Sequence, residues 1–536
     1  MPVDPRDLPG ADLGTLLTTQ AGAPDTRDQP VIITDDATLT YRELDELSNA
    51  FARALVARGV RRGDRVALLA PNCPEWIVSA FGIVKAGATM VSLSTWYGAD
   101  DTEYALARTD AVVAVVTDHF LGHDYLDNVT SASHRLPALR SVIVLPIDGG
   151  AVPSADGVTS WWDAVRAESR SPFASLAQPH DIGYMLLTSG TTGRPKVAQL
   201  RQDGLVLNSF HIGTNLGIGP GDRCFVPVPL CFARGCVQIL LSVVAHGATI
   251  VLQRRFDAED ALALIERHEC SVLFVVPQMM RAMVELPSFT PDRVRSARRG
   301  RVGHGIADLE YAIDHFDLAG VCNGYGMTEV YGPCALTRYD DPLADRLAGW
   351  CEVLPGVDVR IADPDTGRAV PAGTEGEIRV RSYGPPGYFA DEERNAAAFD
   401  DDGYFRTGDK GVRRADGRLR YVGRYKDLIK VNGLNIAPAT VELALRDIGG
   451  VLEACVFGIP DPVREESVAA AVYVAGPTDE AAIVGRCRAT LKTHEVPRRV
   501  WVSTDPLAKL SGGKLDRRRI REASLAAFAS FEKGGA

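Results

Sequence analysis

The chain of 536 residues has no excess of positive charge. Its 58 Lys and Arg stand against 69 Asp and Glu, a formal net charge of −11. A dedicated nucleic-acid binder needs a basic face for phosphates, and this balance argues against one. Any anionic ligand must therefore be held by local donors. No apolar run reaches the ~18–20 residues that span a bilayer. The longest stretches, around 111–117 and 240–252, are broken by Asp, His or Gly and fit buried strands or helices. Residues 1–20 lack the basic segment followed by an apolar run that marks a secretory signal. The ten cysteines form no CxxC pair and no Cys/His cluster with zinc spacing. They read as reduced thiols filling a core, in a cytoplasmic protein that uses neither nucleic acid nor membrane. Lysine is scarce: only nine of the 58 basic residues are Lys, at 85, 196, 410, 426, 430, 492, 509, 514 and 533. Where Arg serves almost everywhere, a Lys kept inside a glycine-rich loop is a candidate for work that needs a compact ammonium. Lys85 and Lys533 carry no such context.

What is present is an ordinary globular composition, 46% hydrophobic and 24% charged, in a chain too long for one core. Short β-branched runs (Arg65–Leu69, Thr89–Leu93, Ala111–Thr117, Ser141–Leu145, Thr249–Leu252, Ser271–Val276) alternate with amphipathic stretches (Tyr41–Arg58, Glu75–Ala86, Ala258–His268). That alternation predicts an α/β fold with largely parallel sheets. Val31–Leu39 reads as one strand entering a helix capped by Thr40 and Glu43. From about residue 350 to 424 the texture becomes short strands separated by Asp-Gly, Thr-Gly and Ala-Gly turns, a small β-rich subdomain. Beyond Arg424 helix–strand alternation returns, predicting a small α+β domain over 425–536 after an N-terminal domain over 1–424.

The strongest local signal is Tyr184-Met-Leu-Leu-Thr-Ser-Gly-Thr-Thr-Gly-Arg-Pro-Lys196. A buried strand runs into a loop in which Gly190 and Gly193 let backbone N–H groups face an anion. Thr188, Ser189, Thr191 and Thr192 add hydroxyls, and Lys196 adds charge. Those are the donors a triphosphate needs. The spacing is not that of a P-loop, because the glycines are too close and Pro195 precedes the Lys. A polar surface loop is the bland alternative.

This segment resembles the signature loop of the adenylate-forming superfamily, which holds acyl- and aryl-CoA ligases, peptide-synthetase adenylation domains and luciferase. Four more segments resemble that family's motifs in the expected order: Asn323-Gly-Tyr-Gly-Met-Thr-Glu329, Gly403-Tyr-Phe-Arg-Thr-Gly-Asp409, Gly423-Arg-Tyr-Lys-Asp-Leu-Ile-Lys430 and Ser511-Gly-Gly-Lys514. The resemblance covers roughly residues 15–520. It implies a large N-terminal domain of two α/β subdomains plus a small β-barrel-like piece, hinged to a mobile α+β C-terminal domain. It further implies that Tyr325 stacks on adenine, Thr328 bonds the α-phosphate and Glu329 ligates Mg²⁺, whose preference is for oxygen. Asp409 would take the ribose hydroxyls, Arg424 the ribose or phosphate, and Lys430 the nucleotide in one domain orientation. Lys426 falls at the pivot, Gly433 opens space for a pantetheine arm, and Lys514 bridges the attacking carboxylate and the α-phosphate. Each motif alone has a bland reading as a turn or a solvated charge run; their order is what makes them specific.

The sequence departs from the family pattern at several places. Phe232, in Pro229-Leu-Cys-Phe-Ala-Arg-Gly235, replaces a usual His. Arg234 falls on a position that lines the acyl pocket, where it either meets an anionic part of the substrate or serves as a structural Arg paired with Asp or Glu. Gly303-His-Gly-Ile-Ala307 replaces a Gly-Gly-Ala-Pro-like turn, placing His304 and Gly305 at the pocket. Leu507-Ala-Lys-Leu510 before the final lysine is also atypical. The expected reaction is ATP- and Mg²⁺-dependent acyl-adenylate formation followed by transfer to CoA, in a monomer or homodimer. The alternatives are a carrier-protein thiol or amine as acceptor, an unusual oxyacid such as nitrite, or a regulator that lost catalysis. The intact Lys514, Glu329 and Thr328 argue against the regulator.

Overall fold

A computed structural model describes residues 10–147, 152, 156–188, 194–303, 305–384, 386–431, 434–461, 463–509 and 515–534. The chain forms two compact units. The larger comprises the described residues up to Val359 with Arg379–Arg406 and Asp416–Leu419; the smaller comprises Arg360–Ile378, Thr407–Ala415 and the chain from Arg420 onward.

The larger unit contains two seven-stranded sheets. In one, the strands from Arg65–Leu69, Thr89–Ser92, Ala111–Thr117, Ser141–Leu145, Val158–Ser160 and Ile182–Thr188 run parallel, and only Lys196–Arg201 is antiparallel, at the edge. All seven residues of Ala111–Thr117 are buried. That is why the run reads as uninterrupted β-branched residues: helices cover both faces of a parallel sheet. The other sheet is parallel along Gly320–Val321, Arg299–Gly300, Val272–Leu273, Arg223–Val226, Thr249–Leu252 and Pro30–Ile33. Its last strand, Thr38–Thr40, turns back antiparallel onto Pro30–Ile33. The expected single strand over 31–39 is therefore a hairpin, because Asp35 and Asp36 break it into a turn that Thr34 closes through the Asp36 carboxylate (2.7 Å). The expected strand over 271–276 keeps only Val272–Leu273 in the ladder. The capping box at Thr40 forms as read: Glu43 N–H donates to Thr40 Oγ1 (3.2 Å) and Thr40 N–H to Glu43 Oε2 (2.8 Å).

All ten cysteines are free and buried. Lys85 is also buried, its ammonium held by Asp45 Oδ1 (2.6 Å), Asn49 Oδ1 (2.7 Å) and Ser48 Oγ (2.8 Å). A fully satisfied core lysine has no donor left for a ligand. Among the described residues no helix is long and apolar enough to cross a membrane.

In the smaller unit the long hairpin Val451–Asp461 and Glu465–Val474 is extended by the parallel strand Arg499–Ser503. The helices Pro438–Arg446 and Glu480–Thr490 bury Val441, Leu445, Ile483 and Cys487 in the core of that sheet.

Candidate active site

The phosphate-loop strand does not enter a helix. Ile182–Thr188 and Lys196–Arg201 are antiparallel partners, with Thr188 opposite Lys196. The loop is thus the tip of a hairpin whose two ends bring a hydroxyl and an ammonium together. Ser189, Gly190, Thr191, Thr192 and Gly193 lie outside the described residues.

A second hairpin, Gly324–Met327 with Gly332–Leu336, carries the Tyr-Gly-Met-Thr-Glu motif. Tyr325 is a buried residue on its first strand. Thr328 and Glu329 sit half-buried in the single 3-10 turn Thr328–Val330 that connects the strands. Two tyrosines outside the expected set fix this turn. Tyr331 closes it at φ 72°, a left-handed conformation costly for a residue with a Cβ. It is held there because its hydroxyl accepts from the Arg201 N–H (3.1 Å) while its carbonyl accepts from Asn208 Nδ2 (2.7 Å). Tyr388 donates its hydroxyl to Glu329 Oε1 (2.8 Å), and Thr188 Oγ1 approaches the same oxygen at 3.5 Å. The face of Tyr388 also receives the Lys196 ammonium, 4.9 Å from the ring centroid. Tyr388 is positioned by Asn395, which accepts its N–H (2.7 Å) and donates to its carbonyl (2.8 Å), and by a bridge to Ala198. Thr188, Lys196 and Glu329 are therefore one cluster, with Tyr388 as the bracket between cation and carboxylate.

The glycines of this motif have separate reasons. A Cβ on Gly326 would stand 1.9 Å from the Gly332 carbonyl oxygen, because the two strands approach closely at a register shift. Backbone cannot move aside as a side-chain end can. Gly326→Ala is expected to destabilise the larger unit by about 3 kcal/mol, in line with overpacking of a tight site. A denaturant melt checks this, and an unchanged midpoint would refute the close approach.

In the smaller unit, Asp409 is buried on the strand Phe405–Arg413 and Arg424 ends the strand Leu419–Arg424. Their Nε–Oδ1 distance is 2.7 Å. Although half-burial opposes its charge, the Arg424 guanidinium is held above its ordinary pKa by Asp409. The pair sets a carboxylate acceptor beside a guanidinium donor, groups that suit the hydroxyls of a ribose and the oxygens of a phosphate. Lys426 is exposed in the short turn Tyr425–Asp427. Lys430 is exposed on the strand Ile429–Val431, its N–H on Glu466 Oε2 (2.8 Å). Gly433 and Lys514 lie outside the described residues. Lys509 and Leu515 pair as an antiparallel bridge, Asp516 N–H donates to the Ala508 carbonyl (2.8 Å), and Lys509 Nζ reaches Glu453 (2.6 Å). Within the atypical Leu507-Ala-Lys-Leu510, Ala508 and Lys509 are thus tied to Leu515, Asp516 and Glu453.

Among the pocket candidates, Phe232 is half-buried, its ring 5.5 Å from that of Trp96. Gly305 caps the helix Ile306–Phe316, its carbonyl accepting from the Asp308 and Leu309 N–H groups (both 3.2 Å). His304 lies outside the described residues. Arg234 has no acidic partner among them: its Nη2 donates to the carbonyls of Val275 (2.8 Å) and Arg301 (2.7 Å). The reading of Arg234 as an Arg paired with Asp or Glu is thereby replaced. Arg301 itself was not singled out by sequence; a lone signal was available, a second cation just before the Gly303-His-Gly turn.

The sequence profile of the AMP-binding enzyme family matches residues 19–389, and that of the AMP-binding enzyme C-terminal domain matches residues 440–514. The chain belongs to the AMP-binding enzyme family. It is 32% identical to a 3-[(3aS,4S,7aS)-7a-methyl-1,5-dioxo-octahydro-1H-inden-4-yl]propanoyl:CoA ligase of Mycobacterium tuberculosis, over 92% of this chain and 96% of that protein. A feruloyl-CoA synthase of Amycolatopsis sp is 31% identical, over 90% and 93% of the two chains. ATP-bound MatB from Rhodopseudomonas palustris superposes with a TM-score of 0.84 at 27% identity, covering 96% of this chain and 98% of that one. The anthranilate CoA ligase AuaEII in complex with anthranoyl-AMP gives 0.85 at 27% identity, covering 97% and 98%. This AMP-binding enzyme therefore has the mixed α/β architecture of proteins whose structures hold ATP or an acyl-adenylate.

The donors present fit these groups. Magnesium is commonly held by one or two carboxylates together with substrate phosphates. Among the described residues there is no cluster of three or more His, Cys, Asp or Glu to hold a metal alone. A single carboxylate, Glu329, beside the phosphate hairpin matches a cation that arrives with its nucleotide.

Proposed function

We propose that this enzyme activates a carboxylic acid with ATP to an acyl-adenylate and pyrophosphate, then transfers the acyl group to CoA, giving an acyl-CoA thioester and AMP. The observation that carries this reading is the Glu329 carboxylate braced by Tyr388 at the root of the 188–196 hairpin, beside Lys196.

In the first half-reaction a carboxylate oxygen attacks the α-phosphorus in line, and the bond to pyrophosphate breaks. The protein contributes position and charge stabilisation. Tyr325 holds adenine, Asp409 and Arg424 hold the ribose, and Thr328 donates to the α-phosphate. Lys196 and the loop Thr188, Ser189, Gly190, Thr191, Thr192, Gly193 take the leaving pyrophosphate. Lys514 neutralises charge between the entering carboxylate and the phosphorus. Magnesium, when bound on Glu329, supplies a further positive charge to the phosphates. In the second half-reaction the thiol, its proton lost to solvent, attacks the acyl carbonyl and AMP departs. We assign Gly433 to the pantetheine path, Lys426 to the pivot between the halves of the reaction, and Lys430 to the nucleotide in the second.

The test is AMP and pyrophosphate release from ATP and Mg²⁺ across aryl, fatty and dicarboxylic acids, with and without CoA. AMP release that requires both an acid and CoA is expected. Pyrophosphate release indifferent to CoA would remove CoA as acceptor and leave adenylation alone.

A further inference from the structure

Two guanidinium groups lie together inside the larger unit, and among the described residues no acid answers them. Arg234 opens the wide-turned segment Arg234–Leu240, and its Nε is buried with no hydrogen-bond partner. Arg301 is 7% exposed. Its Nη1 donates to Gln238 Oε1, its Nη2 reaches the Gly324 carbonyl at 3.4 Å, and its Nε is likewise buried and unmet. Arg234 Nη2 donates to the Arg301 carbonyl, so the two residues are in direct contact. Burial and the neighbouring Arg301 pull the Arg234 guanidinium down to about 9, and burial lowers Arg301 too. The thiols near Arg301 give no counter-charge, because burial pushes Cys322 and Cys351 up to about 12.

Other buried arginines of this unit are answered. Arg379 pairs with Asp400 at 3.0 Å. Arg346 has its Nε and Nη1 on three carbonyls, those of Asp341, Ala319 and Val321. Arg234 and Arg301 differ in combining like charge, mutual contact and unmet donors, an arrangement that an entering anion relieves. Their location is specific as well. Arg301 rests on Gly324, whose neighbour Tyr325 lies on the strand assigned to adenine. Gln238, which accepts from Arg301, packs against Gly332 on the partner strand, where an added Cβ would meet its Cγ at 3.0 Å.

We propose that Arg234 and Arg301 form an anion-binding subsite of the acyl pocket, and that the acid activated here is a dicarboxylic acid whose second carboxylate these two guanidiniums hold. The proposal rests on the ligase reading above and names its substrate class. A guanidinium suits the role because its planar fork matches the two oxygens of a carboxylate. A site built to bond a polar group discriminates strongly against an analogue that lacks it, because its buried donors are then left unpaired.

The test compares aliphatic and aromatic diacids with their half-esters, which keep shape and one reactive carboxylate. Acid-dependent pyrophosphate release is measured for the wild-type enzyme, R234M and R301M. The wild-type enzyme is expected to prefer a diacid over its half-ester by about 100-fold in kcat/KM, the order of a buried charge-assisted contact. In R234M that ratio is expected to fall to near unity. A readout independent of turnover is thermal melting with the diacid alone, each protein compared with its own unliganded melt: the diacid stabilises the wild-type enzyme and not R234M. Should R301M fail to fold, R234M carries the comparison. Turnover of monoacids and half-esters with no preference for diacids overturns the subsite and leaves the ligase reading intact. Absence of acid-dependent release across the whole panel, from a folded enzyme, overturns the ligase reading and the subsite with it.

Discussion

Glu329→Gln is expected to slow acid-dependent pyrophosphate release about a thousandfold, the upper end of what one electrostatic contact to a reacting phosphate contributes. The substitution preserves shape. The amide oxygen of Gln still accepts from the Tyr388 hydroxyl that now sits 2.8 Å from Glu329 Oε1, so the turn Thr328–Val330 keeps its bracket. What is lost is one negative charge beside the phosphate hairpin, where a hard cation arriving with ATP needs an anionic oxygen. Initial rates over a Mg²⁺ titration, with a melting curve to verify folding, provide the check. The variant should need more Mg²⁺ and still plateau far below wild type. A rate within about threefold of wild type would reduce Glu329 to a structural partner of Tyr388.

Lys514→Ala is expected to separate the two half-reactions. Adenylation should fall by about a thousandfold or more, since the role proposed for the ammonium is to meet the charge that develops on the phosphoryl group. Thioester formation from supplied acyl-adenylate and CoA should fall by about tenfold at most, because no phosphorus becomes five-coordinate in that step. The described residues on either side of position 514 are tied by the Lys509–Leu515 bridge and the Lys509–Glu453 ion pair, neither of which uses the Lys514 side chain. Removing the side chain therefore leaves the anchor in place. Equal losses in both half-reactions would show that Lys514 supports the fold and does not act on phosphorus.

The α/β class and most of its strands were legible in the sequence for one physical reason. Strands such as Ala111–Thr117 and Thr249–Leu252, buried at every position, read as continuous apolar runs bounded by polar residues. The pattern failed at 31–39, where Thr34 and Asp36 break the run and turn the chain back on itself. The family was legible because five motifs, each unspecific alone, stand in its order along the chain.

Contacts between distant parts of the chain were not legible. Tyr388 meets Glu329 across 59 residues of sequence, and Arg234 meets the Arg301 carbonyl across 67. Nothing about a tyrosine in Gly387-Tyr-Phe389 or an arginine in Arg299-Gly-Arg301 announces either meeting, because a side chain's partner depends on how strands are ordered, and strand order is not written in local pattern. For Arg234 the sequence left an ion pair and a substrate contact equally open. The tertiary structure removed the ion pair, because the described partners of the Arg234 guanidinium are the carbonyls of Val275 and Arg301. The sequence by itself determined the family and the order of its motifs. The tertiary structure decided which cations meet the protein's own carboxylates and which keep unmet donors, since that balance is set by distances and burial that emerge only once the chain has packed.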